Sequence, residues 1–157
     1  MTDITAYEFY LTVHILAAIV WVGGAMVVQV FAARALADPR PERLVAVARD
    51  AEFVSKTMFT PASALVVIFG LLLVHESEVW SFGDGWIVFA LVVAAASFAV
   101  GVGFLAPESG RIAAAIERHG TDSKAVRDRI KRILLVSRIE LLFLLLVVVD
   151  MVTKPGF

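Results

Sequence analysis

Four stretches of this chain are too long and too apolar to be hidden in a water-soluble core. Residues 9–33, 57–74 and 86–106 contain no charged side chain, and 133–152 contains only Arg138, Glu140 and Asp150. A spanning helix needs about 20 mostly apolar residues. Sixty per cent of the 157 residues are apolar, against about 45–50% in a soluble domain. A domain of this size has too much surface for its volume to bury that excess. The expected fold is therefore all-α: a four-helix transmembrane bundle forming one integral domain over residues 1–157, with the lipid bilayer as its solvent. No Lys or Arg precedes the first run, so it is expected to be a retained helix rather than a cleaved signal peptide.

The connections set the orientation. Arg34, Arg40, Arg43, Arg49 and Lys56 lie between the first two runs. Arg111, Arg118, Lys124, Arg127, Arg129, Lys131 and Arg132 lie between the last two. The link 75–85 has no Lys or Arg and carries Glu76, Glu78 and Asp84. Basic loops stay inside, so an inner-membrane protein with both termini outside the cytoplasm is expected. Tyr7, Tyr10, Trp80 and Trp86 then fall at the outer interface, where amphipathic rings collect.

The inner connections read as short amphipathic cytoplasmic helical extensions. After Pro39 and Pro41, apolar residues recur at Leu44, Val47, Ala48, Ala51 and Val54 with a helical period. Thr121 or Asp122 is expected to cap a last helix from Ser123 through Thr153. Pro107, Gly110 and Gly120 are expected to punctuate the third connection, and Thr60-Pro61 to kink the second span. Small residues at Ala17, Ala18, Gly23, Gly24 and Ala25, and again at 94–97, Gly101 and Gly103, allow close helix approach. Such faces also suit a homo-oligomer.

Several chemistries are excluded. There is no cysteine, hence no thiolate metal site, iron–sulfur cluster or Cys nucleophile. A net charge of −1 gives no footprint for nucleic acid. No Walker loop, GxSxG, HExxH or dinucleotide fingerprint occurs, and no catalytic residue can be assigned.

His14 is the most informative position. An ionisable group inside a span is costly and marks function by default. Trp21 follows seven residues later, nearly in line, and Ala17 and Ala18 leave room beside the imidazole. A flat macrocycle needs such room, and neutral imidazole is a usual ligand of haem iron. The structural alternative is a histidine hydrogen-bonded to a neighbouring helix. His75 at the outer end of the second span, with Met151 and Asp150 near the same level on the fourth, are possible further members. His14 with His75 is a candidate haem pair, and His14, His75 and Met151 a candidate copper site, since imidazole and thioether suit that metal. The bland alternatives are a solvated His75, a packing Met151 and an Asp150 paired with Lys154 four residues on. Arg138 and Glu140 point to different faces. Glu140 is placed to reach Lys56 or Gln29, as a step in a proton path or as an interhelical clamp.

The segment from His14 through Trp21 to Gly23-Gly24 resembles the first helix of the copper resistance protein D family. It is also similar to the HemJ-type protoporphyrinogen oxidases, which share His, Trp and Gly at these spacings. Arg138-Ile139-Glu140 through Lys154-Pro155 resembles the last helix of those proteins and of a group of uncharacterised predicted integral membrane proteins. The HemJ type has a longer Arg-to-Glu spacing and an Asn before the Glu, which this sequence lacks, so the likeness is nearest to the uncharacterised members. The resemblance implies a haem-ligating or metal-associated role for His14. The expected function is haem b binding through His14, with Trp21, His75 and Met151 nearby, in membrane redox or porphyrin-linked chemistry with a membrane redox partner. Copper handling and a non-catalytic scaffold role are the two alternatives.

Overall fold

The computed structural model describes residues 5–121 and 123–155, and all its regular structure there is helical. Four long helices follow one another: α1 (Ala6–Ala37), α2 (Pro41–Glu76), α3 (Gly85–His119) and α4 (Lys124–Thr153). The first three have 32, 36 and 35 residues. At 1.5 Å per residue they are roughly 48–54 Å long, well beyond a hydrocarbon core of about 30 Å. By length and composition, α1, α2 and α3 can cross a membrane. With 30 residues α4 is nearly as long, but any 18 consecutive residues of it include at least three of Arg, Lys, Asp and Glu.

Local chemistry fixes the helix ends. Thr5 opens α1 with a reciprocal cap: its hydroxyl accepts from the Glu8 amide at 3.2 Å, and the Glu8 carboxylate accepts from the Thr5 amide at 2.9 Å. The Glu8 carboxylate also accepts from the Thr5 hydroxyl at 2.9 Å, and the two bonds it accepts, from the Thr5 amide and hydroxyl, hold the exposed Glu8 carboxyl below its ordinary range. The turn between α1 and α2 is tied by Asp38, which accepts from Arg40 at 2.8 and 2.9 Å. The guanidinium keeps the Asp38 carboxyl far below the usual carboxylate range. Pro41 then starts α2, where its missing N–H costs nothing. The helical period seen after Pro41 is real, but it belongs to one unbroken α2 rather than to a separate extension. In the same way, Pro107 and Gly110 do not break α3. That helix runs through both and ends at Gly120, whose φ of +70° only glycine adopts easily. Ser123, not Thr121, takes the N-cap place of α4, and Asp122 lies outside the described residues.

Three wide π turns interrupt the helices, and two of them explain how the prolines are accommodated. They occupy Ile19–Gly23 in α1, Ser55–Phe59 in α2 and Gly101–Leu105 in α3. A proline ring collides with the carbonyl four residues before it. For Pro61 and Pro107 those carbonyls belong to Thr57 and Gly103, inside the π turns, where the wider coil moves them aside. The Thr60 hydroxyl donates to the Ser55 carbonyl at 2.9 Å, beside the Thr60 amide that bonds the same oxygen, and the Ser109 hydroxyl donates to the Leu105 carbonyl at 2.9 Å. The kink expected at Thr60-Pro61 thus takes the form of a π turn. Phe59 presses its ring onto Gly24 so closely that any side chain at position 24 would force the ring to shift.

The bundle has two ends of different character. At the basic end, the first half of α2 packs on the second half of α3 and the start of α4. Ile112, Ile116 and Val126 form a core there, backed by Leu44, Val45, Ala48, Ile130 and Ile133. Glu108 is buried among arginines, accepting from Arg129 at 2.7 Å, with Arg111 and Arg132 at 3.5 and 3.9 Å. Toward the other end, a smaller core joins Trp21, Ala62 and Leu144, while Trp86, Ile87, Ala90 and Val93 are buried on α3. Trp80 and Trp86 meet edge to face at 5.2 Å in the aromatic end. Outside these cores the helices expose Leu16, Ile19, Val30, Phe31, Ile68, Val92, Leu142 and Val149. A water-soluble monomer rarely leaves such a belt uncovered.

Candidate functional site

His14 sits half-buried between α1 and α2. Its Nδ1 lies 2.9 Å from the Val66 carbonyl oxygen. A carbonyl only accepts, so Nδ1 carries the proton and donates. A Cβ placed on Gly70 would come within 3.1 Å of the His14 ring. The absent side chain is therefore what admits the imidazole. Room beside His14 was expected from Ala17 and Ala18, but Ala17 is buried and α2 fills the space. Trp21 lies two turns further along, in the core with Ala62 and Leu144.

The structure does not bring the other outer residues to His14. His75 is exposed, nine residues beyond Val66 on α2. Nine residues are two and a half helical turns, so His75 faces away from the side that holds His14. Met151 is partly buried on α4. Lys154 lies 4.2 Å from the Trp80 ring centre and 5.6 Å from that of Trp86, a cation–π contact, and forms no ion pair with Asp150. One carboxylate oxygen of Asp150 and the Trp86 indole nitrogen are buried without hydrogen-bond partners.

A cavity of about 140 Å³ opens instead toward the basic half of the bundle. All four helices wall it, and all three π turns face it through Trp21, Ser55, Phe59, Gly101 and Leu105. Most of the wall is apolar. Its polar groups are Gln29, Thr60, a set of serines and Glu140. Gln29 donates to the Ser137 hydroxyl at 2.7 Å, tying α1 to α4 across the cavity. Glu140 is half-buried beside the α3 π turn, 3.9 Å from where a Cβ on Gly101 would stand. It makes no hydrogen bond or ion pair among the described residues. Lys56, an expected partner, is turned to Glu52 at 2.6 Å, and Gln29 is taken by Ser137. Arg138 is exposed on another face, as its offset from Glu140 requires.

The structure does not bring the residues proposed for haem or copper together. The cavity touches none of His14, His75 and Met151. Its volume is close to that of an engineered cavity of about 150 Å³ that takes benzene, which is far smaller than a porphyrin. Among the described residues no three His, Asp or Glu side chains are grouped to hold a metal ion. Sequence reasoning missed the hydroxyl-lined cavity. The available signal was Ser and Thr at 55, 60, 63, 97 and 137 around two Pro-bearing helices. It also missed Glu108, which periodicity places on a buried face.

Long apolar helices, a lipid-facing apolar belt and an ionisable group inside the bundle define a polytopic helical membrane protein. The chain belongs to the family described as predicted integral membrane protein (DUF2269), whose model matches residues 9–155. No curated protein and no solved structure matches the chain. The family match supports a membrane protein and carries neither the copper resistance protein D nor the HemJ assignment.

Proposed function

We propose that this chain crosses the cytoplasmic membrane four times, basic end inward, and binds a small, largely apolar ligand through Glu140. Such a ligand carries one hydrogen-bond donor or one positive charge. The observation that supports the reading is a carboxyl without a partner, facing a cavity between the helices. Ionisable groups inside membrane bundles line substrate, ion or proton paths. The charges on α4 are compatible with a fourth span. Glu140 faces the cavity, Asp150 lies at the far end, and Arg138 is about 7 Å from the basic boundary, within reach of it by extending its stem. The apolar residues Leu135, Leu142, Leu146 and Val149 of α4 are exposed as lipid-facing residues would be. The basic connections argue for the orientation.

A hydrophobic carbodiimide tests the site. It modifies protonated carboxyls that it reaches through an apolar phase, leaving a stable N-acylurea that mass spectrometry locates. Glu140 is expected to be labelled, and Glu108, held by arginines, to be spared. No adduct at Glu140, or equal labelling of both, would overturn the reading.

Haem b on His14 remains a second reading with one supporting observation. The Nδ1 bond to Val66 leaves Nε2 with its lone pair free, the tautomer that ligating histidines use. It requires α1 and α2 to part. A Soret band that is lost in His14→Ala would favour it, and colourless protein from haem-replete cells would remove it.

A further inference from the structure

The four helices form a ring whose seams are unequal. Each helix packs along the next one in the chain, α1 on α2, α2 on α3 and α3 on α4. The seam that closes the ring, α1 against α4, is much the thinnest. There the two helices meet at the π turn Ile19–Gly23 and at few places along Gly24–Ala37. The interior cavity reaches this seam, with Ala25, Gln29 and Ala32 of α1 on one side and Leu134, Ser137 and Glu140 of α4 on the other. The small side chains flanking Gln29 fill little of the gap. The bond from Gln29 to the Ser137 hydroxyl spans it.

Depth places the seam among acyl chains. Gln29 lies four residues inside the inner end of the first apolar run, and Ser137 four residues inside that of the fourth. Each is about 6 Å into the hydrocarbon along its helix, and Glu140 about 10 Å. Nearby on the same helices, Val30, Phe31 and Leu135 are exposed apolar side chains. A molecule dissolved in the membrane therefore meets the Gln29–Ser137 bond without crossing water. The competing route runs from water, through an opening of about 410 Å³ at the basic end that shares Leu36, Leu44, Ile130 and Leu134 with the cavity. All four are apolar, so a hydrated molecule must shed its water against them with nothing to replace it.

Size narrows the ligand further. The cavity of about 140 Å³ holds a group near the size of benzene, and a longer molecule must leave its remainder outside. We propose that the ligand of Glu140 is an amphiphile taken sideways from the inner leaflet. Its small hydroxyl or amine head passes between α1 and α4 to Glu140, its apolar tail stays in the seam, and the Gln29–Ser137 bond is the latch. This inference rests on Glu140 being the binding carboxyl.

The chain has no cysteine, so a pair introduced as Gln29→Cys and Ser137→Cys can be bridged selectively by a short bifunctional thiosulfonate and released by reductant. The full-length protein is placed in phosphatidylcholine vesicles. Labelling of Glu140 is timed with hydrophobic dicyclohexylcarbodiimide and with a water-soluble, cationic carbodiimide. Bridging should slow the hydrophobic reagent about tenfold and reduction should restore it, whereas losing one interhelical hydrogen bond is worth only about threefold. A bridge between Phe9→Cys and Phe69→Cys, which ties α1 to α2 where the two rings lie 6.1 Å apart, should leave the rate unchanged. The water-soluble reagent should be much the slower of the two. Dodecanol in the bilayer should protect Glu140, and dodecane should not. If wild type is labelled by neither reagent, the Glu140 site fails and this inference with it. If wild type is labelled, four results leave that site standing and overturn the inference: no effect of the Gln29–Ser137 bridge, equal slowing by both bridges, equal labelling by the water-soluble reagent, or equal protection by dodecane.

Discussion

The two halves of the bundle are held together by different physics. At the basic end, Ile112, Ile116 and Val126 are shielded by neighbouring helices, and Glu108 is gripped by three arginines. This is how a water-soluble domain is built: burial of apolar area drives association, and a buried charge is accepted because it is paired. In the apolar half the helices expose large side chains and touch through small ones. Gly24 receives Phe59 and Gly70 receives His14. Hydrophobic burial gives little there if lipid is the solvent, because lipid tails are as apolar as leucine. Close packing and a few polar struts replace it, here His14 to Val66 and Gln29 to Ser137. The same half holds the groups without partners, Glu140, Trp86 Nε1 and an Asp150 oxygen. Burial and charge pairing are concentrated at the basic end, and polar groups without partners in the apolar half.

That contrast can be broken by measurement. The largest effect is expected at Glu108. Glu108→Ala leaves three cations converging on an empty buried site, and should lower unfolding stability in detergent by about 3 kcal/mol. A loss near zero would mean that the basic end is not the stable half. Gly24→Ala comes next. Phe59 must move to admit the methyl group, and overpacking of this kind costs roughly 2 kcal/mol. Combining it with Phe59→Ala should recover part of that loss, because the clash is shared between the two positions. Additive losses would place Phe59 elsewhere. The smallest effect is expected at His14. Interhelical polar contacts in membranes average about 0.6 kcal/mol, so His14→Ala should cost about that much. A loss above roughly 2 kcal/mol would show that the imidazole does more than brace α1 against α2.

The apolar runs were legible because membrane crossing is a matter of length and composition alone. All four lie within the helices, as does the amphipathic stretch after Pro41. The limits of the helices were not legible. Pro107 and Gly110 look like breakers in sequence, yet a π turn at Gly101–Leu105 absorbs the proline, and the helix continues to His119. Pro61 and Pro107 are local signals for two of the π turns, but no proline closely follows the one at Ile19–Gly23, and a proline alone does not say whether a helix will break or widen. His14 stood out in sequence as an ionisable group in an apolar run, and it lies half-buried between α1 and α2. Its partner was not foreseeable, because a backbone carbonyl at Val66 leaves no side-chain signature. Glu140 was recognised as a charge inside a span. That it would lack a partner depended on Gln29 and Lys56 choosing Ser137 and Glu52, and only the folded arrangement decides that.

The three π turns line one cavity and so lie near one level of the bundle. Each is a dislocation in its helix: one surplus residue in a coil that elsewhere closes every 3.6. A dislocation can glide, passing its surplus to the next turn and swivelling each residue it crosses by about 100°. Glu140 stands beside the α3 dislocation, 3.9 Å from where a Cβ on Gly101 would lie, so a shift of that surplus residue by one turn would change the surroundings of this carboxyl.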